Sequence, residues 1–157
     1  MKLNTVRFGE IDIPDKKIIR FNEGLPGLEH LKRFAVIENE ETAPFEWFQA
    51  MDDGEIALVV LDPNILFPEY YINVPPEVVD ELKLEEADEK LILTVAVIPR
   101  NFKDMTVNLV SPLVINATKN LGKQVIMQSS DYLIKQPIFD LLQEYVNGGD
   151  LDAGSNS

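Results

Sequence analysis

The stretch that decides the fold is PFEWFQAMDDGEIALVVLDP, Pro44 to Pro63, which holds the chain's only tryptophan, Trp47. Phe45, Trp47 and Gln49 alternate with Glu46, Phe48 and Ala50, the period-two pattern of a β-strand. Asp53-Gly54 follows, a dipeptide that joins hairpin strands because it accepts the backbone of a tight turn. In the returning run Ile56, Leu58 and Val60 share one face, and Ala57, Val59 and Leu61 share the other. Both faces are apolar, which predicts a central strand covered on both sides. Residues 44–63 therefore read as a β-hairpin punctuated by Pro44 and Pro63. Trp47 is then either a packing residue or the aromatic anchor of an interface.

Outward from this hairpin the chain reads as short strands separated by Pro, Gly, Asn and Asp. They are expected at 4–8, 17–21, 34–37, 47–51, 56–61, 91–98, 106–110, 113–117 and 124–128. This spacing predicts a mainly β fold, a small antiparallel barrel-like or sandwich domain with one or two short helices. One helix is expected in PPEVVDELKL, with Val78, Val79 and Leu82 as its apolar stripe. The other is expected in QPIFDLLQEYVNGG, where Ile138, Leu141, Leu142 and Tyr145 fall on one face and Gly148 ends the helix. A one-turn helix is also sketched by PGLEHLKRF. Residues 1–146 form one domain in this reading, and the apolar-poor end NGGDLDAGSNS, residues 147–157, forms a disordered tail.

Composition excludes several classes of function. There is no cysteine, hence no disulfide, thiolate zinc site or cysteine nucleophile. No run of about 18 apolar residues offers a membrane span, and the first residues lack a signal-peptide core. Fourteen basic against 27 acidic residues give a net charge of −13. Affinity for DNA and RNA comes largely from Lys and Arg on phosphates, so direct nucleic-acid binding is not expected. A basic protein partner is electrostatically favoured, mainly in association rate. The acids cluster at Glu38–Glu41, at Asp52, Asp53 and Glu55, and from Glu81 to Glu89, which includes Glu85 and Glu86. Each cluster is either a solvated surface or a docking face.

Catalytic chemistry has little to work with. The one histidine, His30, comes with no Gly-x-Ser-x-Gly elbow, metal-ligand cluster or phosphate-binding loop. No cofactor is expected. The remaining enzyme reading is a hydrolase or small-ligand barrel with a carboxylate site built from Asp52, Asp53 and Asp62.

Several segments then resemble the FliW family: GLPGLEHLKRF, PFEWFQAMDD with LDP after it, FPEYY, TVNLVSPLVINATKNLGKQVIM and SDYLIKQPI, in the family's order. The resemblance implies a small β-rich fold related to a barrel, no catalysis and a cytoplasmic regulator of flagellar assembly. It implies two partners. One is CsrA, an RNA-binding repressor of flagellin translation; the other is flagellin, which occupies the regulator while it accumulates unexported. An amphipathic helix of flagellin laid into an apolar groove is the expected contact. Matching motif positions are Pro44, Phe45, Trp47, Gln49, Asp62, Pro63, Tyr70, Asn108, Pro112 and Asn116. Partner contact is expected from Phe45, Trp47, Gln49, Tyr70, Asp52, Asp53, Glu85 and Glu86. Asn108 and Asn116 interrupt apolar strands, so each is expected to bond a neighbouring loop.

Overall fold

The computed structural model describes residues 1–128 and 131–155, with side chains given as far as Gly148. Among these, eleven strands and two helices follow one another. The strands are β1 (Lys2–Thr5), β2 (Gly9–Asp12), β3 (Ile19–Arg20), β4 (Arg33–Ile37), β5 (Glu46–Ala50) and β6 (Ala57–Leu61), then, after helix α1 (Pro76–Glu81), β7 (Lys90–Val97), β8 (Thr106–Val107), β9 (Leu113–Asn116), β10 (Leu121–Gln124) and β11 (Gln136–Pro137). Helix α2 (Phe139–Ser155) closes the sequence.

Seven of the strands close a barrel in the order β7-β6-β5-β4-β3-β10-β9, with β9 returning to β7. The expected barrel-like fold is thus the one observed. Neighbours run antiparallel except at the seam, where β10 pairs with β3 in parallel, Leu121 opposite Arg20. The long strand β7 makes closure possible. Its first half, Lys90 to Leu93, pairs with β9, and its second half pairs with both β6 and β8.

The period-two pattern works as expected in β6. Leu58 and Val60 face the barrel interior, while Val59 and Leu61 face an outer core. β7 divides likewise, Leu91, Leu93 and Val95 inward and Ile92 and Ala96 outward. The interior centres on three rings. Phe34 and Phe48 stack at 4.6 Å, and Phe21 meets both edge-on at 5.4 Å. The outer core lies under α1, residues 63–74 and residues 125–142, and includes Phe45, Tyr70, Val78 and Ile138.

Gly122 is the contact that lets Phe21 in. A Cβ there would run into the Phe21 ring. Gly122→Ala is expected to cost about 2 kcal/mol, because overpacking a filled interior forces rings off their rotamers. Urea denaturation measures it, and an unchanged midpoint would mean that the ring has room to move.

The structure departs from the sequence reading in places. The expected strand at 124–128 is shifted, with β10 ending at Gln124, because the turn after Asn116 sets the register. Asn120 closes that turn at φ +57°. The one-turn helix of PGLEHLKRF is absent; Gly27 at φ +82° turns the chain instead, leaving an isolated bridge between Leu25 and Leu28. Strands β2 and β11 carry too little apolar alternation to be read. Helix α2 continues through Gly148, where the sequence reading ends it. The backbone of residues 147–155, expected as a disordered tail, continues α2, while side chains from Gly149 onward and residues 156–157 altogether lie outside the described residues.

Candidate partner-binding surfaces

The opening hairpin is β5–β6, paired from Glu46 opposite Val60 to Gln49 opposite Ala57. Its residues divide between inside and outside. Phe45 and Tyr70 are buried in the outer core, and the Tyr70 hydroxyl donates to the Leu109 carbonyl at 2.7 Å. Burial pushes that hydroxyl's pKa well above the usual phenol range. Gln49 is 0% exposed; its amide donates to the carbonyls of Ala50 and Ile56. These three side chains are buried, none more than 8% exposed, and serve the fold. Trp47 is half-buried. The Arg7 guanidinium lies 4.1 Å over its ring, and Phe8 meets it edge-on at 5.9 Å. Of the expected aromatic contacts, Trp47 alone keeps access to solvent.

The acids serve different ends. Asp52 accepts from the backbone N–H groups of Lys32 and Arg33 and pairs with the Arg33 guanidinium at 2.6 Å. Desolvation pushes its carboxyl up, but those donors outweigh it and hold the pKa below the ordinary range. A carboxyl with a depressed folded pKa stabilises the fold above its unfolded value, about pH 4, and loses that contribution as pH falls through the folded value. Asp52→Asn is therefore expected to flatten part of the acid limb of the stability curve. Thermal melts from pH 7 down to pH 2 check this; parallel curves for variant and parent would refute it.

Asp53 accepts from Glu55 N–H, and Asp62 caps the turn Pro63–Ile65 through Asn64 N–H. Strand β6 lies between Asp53 and Asp62, on the order of 17 Å of extended chain. The carboxylates of the hydrolase reading are thus held apart at opposite ends of a hairpin. Among the described residues no group of three or more His, Asp or Glu is placed to hold a metal ion.

Asn116 is 0% exposed and uses all its bonding capacity. Its amide nitrogen donates to the Leu82 carbonyl at 2.9 Å, the Lys83 carbonyl at 3.4 Å and Asp88 Oδ2 at 3.0 Å. Its oxygen accepts from the N–H groups of Thr118 and Lys119. Asn108 likewise accepts from Val110 and Ser111 N–H, turning the chain between β8 and β9. Pro112 is buried in that turn, and Pro44 follows a cis peptide bond at the hairpin entry. Glu85 and Glu86 are exposed beside this knot, where Lys119 lies 3.0 Å from Asp88 and 3.6 Å from Glu85.

The open surface with room for a partner lies elsewhere. Residues 71–77 and 125–128 flank a shallow trough of about 690 Å³, which continues past Pro75 and Glu77 into a second hollow of about 420 Å³ beside Glu23 and Glu29. Its walls are apolar at Ile72 and Val125, and Tyr71 and Ile126 stand 68% and 61% exposed. Sequence reasoning placed Ile126 inside a strand and did not single out Tyr71. The adjacent pair Tyr70-Tyr71 carried a signal, since neighbours in an extended segment point opposite ways.

Comparison with known proteins decides the family. The FliW protein family model matches residues 2–138. The chain belongs to the FliW family. The flagellar assembly factor FliW of Thermoanaerobacter pseudethanolicus is 42% identical over 144 residues, 91% of this chain and 96% of that protein. The FliW of Thermosipho africanus is 38% identical over 139 residues, 88% of this chain and 95% of its own. A crystal structure of the flagellar assembly factor FliW superposes with a TM-score of 0.82 at 32% identity, covering 88% of this chain and 97% of that one. Within the FliW frame, the matched segment contains the barrel, the trough and the Asn116 knot, while α2 lies beyond it. No helix among the described residues is long and apolar enough to cross a membrane.

Proposed function

We propose that this chain regulates flagellar assembly in the cytoplasm by switching between two protein partners. Free of flagellin, it binds the translational repressor CsrA and lifts repression of flagellin synthesis. Accumulating flagellin occupies it and returns CsrA to the message. The work is done by mass action, since a ligand shifts an equilibrium only by its differential affinity for the competing states. No catalytic step is required.

The observation that carries this reading is the shape of the open surface. It is a shallow, open trough in which apolar Ile72, Val125 and Ile126 alternate with polar Asn73 and Gln128 and acidic Glu77 and Asp131, the form suited to a protein segment, and not a closed pocket of converging carboxylates. The relatives' naming as flagellar assembly factors supports the same reading. The net charge of −13 favours encounter with a basic, RNA-binding protein. Trp47, Asp52, Asp53, Glu85 and Glu86 are the expected contact residues with solvent access.

Calorimetric titration of the protein into CsrA, repeated with flagellin present, tests the switch. Binding that flagellin abolishes is the expected result; no binding to either protein would overturn the proposal. Trp47→Ala is expected to weaken binding of one partner by about tenfold, about 1.4 kcal/mol. A folded variant that binds both normally would remove Trp47 from the contact.

A further inference from the structure

We infer that the open backbone edge running from Gln124 to Met127 takes up an extended, lysine- or arginine-bearing segment of a partner protein as an added β-strand. This rests on reading the chain as a protein-binding regulator.

β10 meets β3 at one register position only, Leu121 opposite Arg20. Beyond it the chain stays extended but bonds on one side alone. Val125 N–H donates to the Pro112 carbonyl at 2.9 Å, and Met127 N–H to the Val110 carbonyl at 2.8 Å. Successive peptide groups of an extended chain face opposite ways, so the N–H and C=O groups of Gln124 and Ile126 face away from that ladder. β3 meets β10 only at Leu121, and among the described residues neither N–H donates to a backbone carbonyl outside the strand pairings. Gln124 and Ile126 also line the hollows described above. An unpaired row of this kind is a template for another strand.

Charge selects the occupant. Glu29, Glu77 and Asp131 line the rims, whereas Lys123 is already bonded to Glu81 at 2.7 Å and Glu23 at 3.2 Å. A segment alternating apolar and basic residues lays one set on Ile126 and Tyr71 and offers the other to the carboxylates. A helix satisfies its own backbone and leaves the edge unbonded. A second copy of this chain brings another −13 against the same rim.

The test uses a fluorescein-labelled decapeptide of alternating valine and lysine, followed by fluorescence anisotropy. Two controls are the same peptide N-methylated along one edge and a valine–glutamate version. Binding by the first alone is expected. Ile126→Pro removes a donor that the fold does not use, and its preceding residue is already extended, as proline requires. It is expected to weaken the peptide by about tenfold or more. Glu77→Lys with Asp131→Lys, which touches no backbone bond, is expected to do the same. Equal binding by the N-methylated peptide, by a helical peptide of equal charge, or by both variants would overturn the inference. So would a wild-type dimer that Ile126→Pro disperses. Calorimetry with CsrA separates the two levels. CsrA bound equally by wild type and Ile126→Pro overturns the trough and leaves the proposed function standing, whereas CsrA unbound by wild type overturns the function itself.

Discussion

Phe48→Ala is expected to be among the most destabilising single changes in this chain, costing about 4 kcal/mol and lowering the melting temperature by roughly 8–16 °C. Phe48 is 0% exposed, stacked on Phe34 at 4.6 Å and met edge-on by Phe21. Truncation removes a ring from the middle of a closed barrel, whose backbone walls are fixed by hydrogen bonds and cannot collapse inward. The cost is then the lost transfer energy plus an unrelaxed cavity. Against a total stability of about 5–15 kcal/mol for a domain of this kind, that is a large fraction. Chemical denaturation gives the number directly. A loss below about 1 kcal/mol would mean that Phe21 swings into the space and that the stack is not the centre of the core.

Asn116→Ala is expected to cost about 3 kcal/mol, from a single polar side chain. The substitution leaves the buried Leu82 carbonyl without its partner, which carries the full desolvation penalty, and also removes the acceptor of the part-buried Thr118 and Lys119 N–H groups. Asn116→Asp separates bonding from shape. It replaces the donor facing Asp88 Oδ2, 3.0 Å away, by a carboxylate. Two carboxylates so placed raise the pKa of the pair. The folded state then binds protons more readily than the unfolded, so this variant gains stability as pH falls through the raised value. Parent and variant should therefore converge on acidification. If the gap between them stayed constant from pH 7 to pH 4, the contact with Asp88 would not be what Asn116 supplies.

The barrel was legible because its decisive strands are apolar on both faces. "EIALVVLD" and "KLILTVAVIP" leave no polar face for water, so each had to be central. What the periodicity could not give was the partition between two cores, since Val59 and Val60 look alike in sequence and face opposite ways. The parallel seam was also hidden, because it joins residues a hundred positions apart through a single rung. Asn108 and Asn116 were conspicuous as asparagines inside apolar runs, and local bonds explain them. The contact surface was harder to read. Aromatic residues in a family motif look the same whether they hold the fold or hold a partner, and burial assigns Phe45 and Tyr70 to the first role. The trough is assembled from residues of little individual character, from the segments 71–77 and 125–128, which lie far apart in the chain and meet only in the folded protein.

The seam between β3 and β10 makes the barrel a ring with a small clasp. Arg20 N–H reaches the Asn120 carbonyl at 2.9 Å, and the Asn120 amide ties the turn to the Lys16 carbonyl at 2.6 Å. Elsewhere around the ring, neighbouring strands share two to four rungs. Opening motions of the native state follow the cheapest route, and here that route parts the clasp first. A strand added along its continuation, as inferred above, would brace β10 just beyond the point where the clasp ends. Occupancy on the outside and breathing on the inside are then one equilibrium.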